Sequence, residues 1–166
     1  MAGPRNGSIW AAFAGMGAAL VAATTLVVQI PVPATQGYIN LGDTMVIALA
    51  LALGPTVGAF CGGVGSALAD LLSGYAHYAP YTLAIKGVEG ALAGLVSGRG
   101  RWAEVAGATV AVAEMVLGYF TVEAILLGPG AAVAELPGNL FQAAVGVLVG
   151  VPLSRVLRAA LSRWVS

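Results

Sequence analysis

The stretch LADLLSGYAHYAPYTLAIKGVEGALAGL, residues 68–95, sets Asp70, Lys86 and Glu89 among apolar residues, and Lys86 is the only lysine of the chain. Ionisable side chains in such surroundings are costly in lipid, so by default they mark binding or ion sites. Five stand inside apolar runs: Asp70, Lys86, Glu89, Glu114 and Glu123. Thr82, Lys86 and Glu89 follow i,i+4 and i,i+3 spacing, which puts all three on one helix face. Tyr119 and Glu123 share a face in the same way. Glu114 lies nine residues from Glu123, about 180° around a regular helix. The spacing therefore favours Glu123 for a cavity and leaves Glu114 as a candidate partner of Lys86. Asn139 and Gln142 add two amides at the start of the last apolar segment. The Lys86–Glu89 pair has two readings, a structural ion pair or a ligand contact. Against four acids, one cation leaves an acidic excess, to be met by protonation, by water, or by a cationic or hydrogen-bond-donating ligand.

Other chemistry finds no residues to carry it. His77 is the only histidine and Cys61 the only cysteine, so no zinc site of three or four protein ligands and no internal disulfide is expected. His77 is left as a stacking or hydrogen-bonding ligand contact, or as an exposed loop residue. There is no Gly-rich phosphate loop ending in Lys-Ser/Thr and no His-Glu-x-x-His, and the one histidine finds no nucleophile to activate. The expectation is no catalysis, no metal and no cofactor. Active transport would then draw its energy from a partner or an ion gradient.

The elements that must position these side chains are membrane helices. The chain is 59% hydrophobic and 8% charged with zero net charge, against roughly 25% charged residues in a soluble domain. No basic stripe offers itself to nucleic acid. Gly, Pro and charge divide residues 1–166 into one domain of six spans, at about 8–29, 42–54, 56–74, 79–97, 102–127 and 137–163. The first apolar run is longer than a signal-peptide core and more spans follow, so it reads as a retained span. The second span, near 20 Å at 1.5 Å per residue, is short for a bilayer core of ~30 Å. Six spans gather Arg5, Arg99, Arg101, Arg155, Arg158 and Arg163 on the side of both termini, which the positive-inside rule makes cytoplasmic. The expected class is an all-α integral membrane protein, multi-pass in the cell membrane. Asp70, Glu123, Asn139 and Gln142 then lie toward the outer end, as for a cavity open outward. The outer connections QIPVPATQGYINLGD, GYAHYAP and LGPGAAVAELPGN carry aromatics, amides and Gly/Pro, and Tyr75, Tyr78 and Tyr81 suit a ligand or an interfacial belt equally.

Small residues recur every fourth position in the first span, as Ala14, Ala18 and Ala22, with Ala11, Gly15, Ala19 and Ala23 as a parallel row. Such rows allow close helix approach in lipid, inside the chain or against a partner. GAFCGGVGSALAD in the third span has a similar flat face.

Residues 37–98, GYINLGD to GLVSG with the intervening Ala-Asp and Lys-Gly-x-Glu-Gly, resemble the substrate-binding S components of energy-coupling factor (ECF) transporters, in the riboflavin-type branch that includes vitamin B6 and hydroxymethylpyrimidine members. The resemblance implies a six-helix subunit that captures a vitamin outside and topples to release it inward. It would assemble with a membrane coupling subunit and two cytoplasmic ATPases. It also implies that Ala14, Ala18 and Ala22 match a docking motif, that residues 30–41 form a lid, and that Tyr38, Asn40, Tyr78, Lys86, Glu89, Glu123, Asn139 and Gln142 contact ligand. A self-sufficient proton-coupled carrier using Glu114 and Asp70, and a membrane scaffold, are the competing readings.

Overall fold

The computed structural model describes residues 7–162, so Arg5 and Arg163 lie outside the described residues. Six helices follow in order: α1 (Gly7–Val27), α2 (Gly42–Leu53), α3 (Pro55–Leu72), α4 (Ala79–Leu95), α5 (Arg101–Leu126) and α6 (Pro129–Leu161). Among the described residues the one departure from an all-helical fold is an antiparallel hairpin of β1 (Gln29–Val32) and β2 (Gly37–Asn40), in the register Gln29↔Asn40 to Val32↔Gly37. Pro31 and Pro33 lack amide donors, which suits a strand left unpaired on its other edge. The turn is closed by Thr35 N–H donating to the Val32 carbonyl at 3.2 Å, with Gln36 in the left-handed region at φ 53°.

Four helices, α1, α3, α5 and α6, are long and apolar enough to cross a membrane. Shortness at α2 goes with its position: ten of its residues are buried, leaving only Thr44 and Met45 partly open. It is the central rod of the bundle, covered by its neighbours and not by lipid. Its last turn is fastened firmly. The Leu51 carbonyl accepts from Ser97 Oγ at 2.6 Å and from Arg158 Nη2 at 2.7 Å, and Arg158 is also 2.7 Å from Glu104 Oε1. A cation at a helix C-terminus complements the dipole as well as the orphan carbonyls.

Glycine lets α3 and α4 touch backbone to backbone. A Cβ on Gly58 would sit 2.6 Å from the Gly90 carbonyl oxygen, so no larger residue fits there. The flat face of α3 thus serves internal packing. The same holds for one face of α1: Ala14, Ala18 and Ala22 are buried at 1%, 5% and 8% exposure, and Cys61 Sγ on α3 lies 3.5 Å from the Ala14 carbonyl. Ala14, Ala18 and Ala22, the three alanines expected to dock a partner, are thus buried within this subunit, where Ala14 packs against α3. The parallel row Ala11, Gly15, Ala19 and Ala23 is the exposed one.

The last helix begins at Pro129, well before the expected start at 137. Pro137 is inside it. A proline costs a helix one amide bond and crowds the preceding turn, which is why it reads as a start signal in sequence, but the run from Pro129 carries the helix through.

Candidate functional site

The hairpin lies over the ends of α3 to α6 that are remote from Arg99, Arg101, Arg155 and Arg158. Beneath it is a narrow, largely filled polar cavity. Its lining comes from β2 (Gly37, Tyr38, Asn40), α3 (Asp70), the start of α4 (Tyr78, Thr82, Lys86), α5 (Tyr119, Glu123) and α6 (Glu135, Asn139, Gln142). Tyr38, Asn40, Asp70, Tyr78, Lys86, Tyr119, Glu123, Asn139 and Gln142 were all expected from sequence, and the fold brings them together. Helical period explains the convergence: Thr82 and Lys86, Tyr119 and Glu123, and Glu135, Asn139 and Gln142 are each one stripe of a helix.

Polar bonds tie the hairpin to the walls. Tyr38 Oη donates to Asp70 Oδ1 at 2.7 Å, and Tyr78 Oη to the Thr35 carbonyl at 2.9 Å. Thr35 Oγ1 donates to Glu135, and the Asn40 backbone N–H donates to Gln142 Oε1 at 2.6 Å. Gln142 Nε2 in turn donates to Asn139 Oδ1 at 3.0 Å. Burial, with the Asp70 carboxylate beside it, pushes the Tyr38 phenol above its ordinary range; burial, with Glu123 and Glu135, does the same to Tyr78. Both phenols therefore keep their protons and act as donors. Asp70 Oδ2 and Glu123 Oε2 are buried and have no hydrogen-bond partner among the described residues. Both are unpartnered carboxyl oxygens on residues that line the cavity.

Lys86 forms the floor. Its ammonium pairs with Asp43 in the first turn of α2, lies 3.2 Å from Glu89 Oε2, and stands 5.6 Å from the centre of the Tyr119 ring. Glu114 is not its partner, contrary to expectation. That side chain faces an apolar groove between α4 and α5 with Val110, Leu117 and Val122, because the half-turn separating it from Glu123 points it away from the cavity. Glu89 sits behind Lys86 without lining the cavity, and His77 is exposed outside it, 4.7 Å from the Tyr78 ring centre. Two acids escaped the sequence reading. Asp43 passed for a span boundary, although a carboxylate in a first helical turn is a stabilising placement. Glu135 passed for a loop residue, although its i,i+4 and i,i+7 spacing to Asn139 and Gln142 marked it as a third member of their stripe. Among the described residues, no group of three His, Cys, Asp or Glu side chains is arranged to hold a metal ion.

Comparison with known proteins adds a second line of information. Residues 10–159 match the family described as ECF-type riboflavin transporter, S component. A Pyrococcus woesei protein described as an uncharacterized protein in gap 3' region is 46% identical over 140 residues, 83% of this chain and 94% of that one. The thiamine precursor transporter HmpT of Lactococcus lactis subsp. cremoris (strain MG1363) is 34% identical over 134 residues, 80% of this chain and 75% of that one.

Proposed function

The chain belongs to the ECF-type riboflavin transporter S component family, and from that premise we propose that it captures a small heterocyclic vitamin or precursor from outside the cell and delivers it inward with an ECF coupling module. It is a multi-pass membrane protein of a transporter family, not of an enzyme family. In this reading all six helices traverse the bilayer, with both termini cytoplasmic and the cavity outward. The partners are a membrane coupling subunit and two cytoplasmic ATPases.

The observation that carries the reading is the cavity itself. Phenols, amides and carboxyls from four helices and the hairpin converge at the end opposite the arginines, which is the arrangement a polar single-ring ligand needs. The hairpin, residues 29–40, is the lid. An acidic lining favours a ligand that donates hydrogen bonds, hydroxymethylpyrimidine or vitamin B6 ahead of riboflavin. The relative described as a thiamine precursor transporter points the same way. With Ala14, Ala18 and Ala22 covered, the face that meets the coupling subunit is the row Ala11, Gly15, Ala19 and Ala23.

Purification followed by mass spectrometry should release a bound heterocycle. Reconstituted vesicles should accumulate that compound only when the coupling subunit, the ATPases and ATP are present. Uptake by the purified chain alone that collapses with the proton gradient would establish a self-sufficient carrier instead. Absence of any ligand, with a stable complex through α1, would establish a scaffold.

A further inference from the structure

The one cation of the cavity is fully committed. Lys86 is 3% exposed, and its two carboxylate neighbours, Asp43 and Glu89, are 1% and 0% exposed. Asp43 reaches it from α2 and Glu89 from the next turn of its own helix. Two acids face one ammonium. With one carboxyl protonated the group is neutral, and with both ionised it carries a negative charge; in neither state does positive charge remain for a ligand.

Nothing else in the cavity supplies it. The other ionisable lining groups are the carboxyls Asp70, Glu123 and Glu135 and three phenols. Positive potential at the α2 N-terminus already falls on Asp43. Arg158, at the other end of α2, is paired with Glu104. A phosphate ester is bound through charge-assisted bonds from Arg or Lys, and a buried anion without them loses its hydration uncompensated. The corresponding alcohol carries no such cost, and its ring donors meet the open oxygens of Asp70 and Glu123.

We infer that Asp43 and Glu89 are specificity-determining residues: by occupying Lys86 they make the site take an unphosphorylated heterocycle and reject its phosphate ester. The inference rests on the reading of the cavity as a heterocycle site. It assigns the two acids a role through Lys86 without direct ligand contact, distinct from simple stabilisation of the fold.

Isothermal titration of the detergent-purified protein with hydroxymethylpyrimidine and pyridoxine, each beside its monophosphate, tests it. Wild type should prefer the alcohol of the bound pair by at least a hundredfold. Glu89→Gln and Asp43→Asn, each checked for thermal unfolding, should narrow that ratio at least tenfold by improving ester binding, and adding Lys86→Met to Glu89→Gln should remove the gain. A wild type that binds ester and alcohol alike, or an unchanged ratio in either folded variant, overturns the inference while leaving the heterocycle site standing. Binding of neither pair by wild type overturns that site and the inference with it.

Discussion

Glu123 and Glu114 are chemically identical carboxyls on opposite faces of α5, and only Glu123 lines the cavity. Glu123→Gln should weaken ligand binding at least tenfold, about 1.4 kcal/mol, whereas Glu114→Gln should leave the dissociation constant within twofold; calorimetric titration separates them. Equal effects of the two would remove Glu123 from the site. The sequence made this pair legible because helical geometry is periodic and each residue carries its own phase. It did not reveal what Lys86 touches. Glu89 was visible as a neighbour at i+3, but Asp43 lies 43 positions away on another helix, and no periodicity links two helices. Glu135 was hidden by Pro137, whose usual meaning as a helix boundary outweighed the stripe that Glu135 shares with Asn139 and Gln142.

Among the elements, α1 shows how one residue of phase separates two roles. Gly65 on α3 has no room for a Cβ, which would lie 2.6 Å from the Ala18 carbonyl; Ala19, next along the chain, is exposed. Ala18→Leu should lower stability by about 1–3 kcal/mol through overpacking, seen as a fall in melting temperature. Ala19→Leu should leave melting and ligand affinity unchanged and reduce capture of the coupling subunit in a pull-down. Normal capture by that variant would reject this face as the docking surface. Both rows were plain in the sequence as small residues at every fourth position. Which of them a neighbour covers depends on where α3 lies, and that information is tertiary. The helix boundaries were read well wherever glycine or charge marked them, and the hairpin was missed because its prolines and glycine read equally well as irregular loop.

For the whole molecule, the two ends of the bundle differ in kind. One gathers Arg99, Arg101, Arg155 and Arg158, and the other the hairpin, the aromatic loop and the cavity. A membrane-impermeant maleimide should label His77→Cys in intact cells and Arg99→Cys only after lysis, with native Cys61 silent because it is fully buried. Labelling in the reverse order would invert the proposed orientation. The asymmetry was readable from the arginines alone, since the positive-inside rule needs only the sequence and a span count.

The brevity of α2 bears on how the chain enters the bilayer during synthesis. Twelve residues reach about 18 Å, and the segment opens with Asp43, whose counter-charge emerges only when Lys86 has been made. Until α3 and α4 have followed, α2 has neither the length to hold the lipid core nor a partner for its acid. In the proposed topology its insertion and the assembly of the cavity floor become one late event in biogenesis, so a chain interrupted before α4 would leave α2 an unfinished span with Asp43 uncompensated.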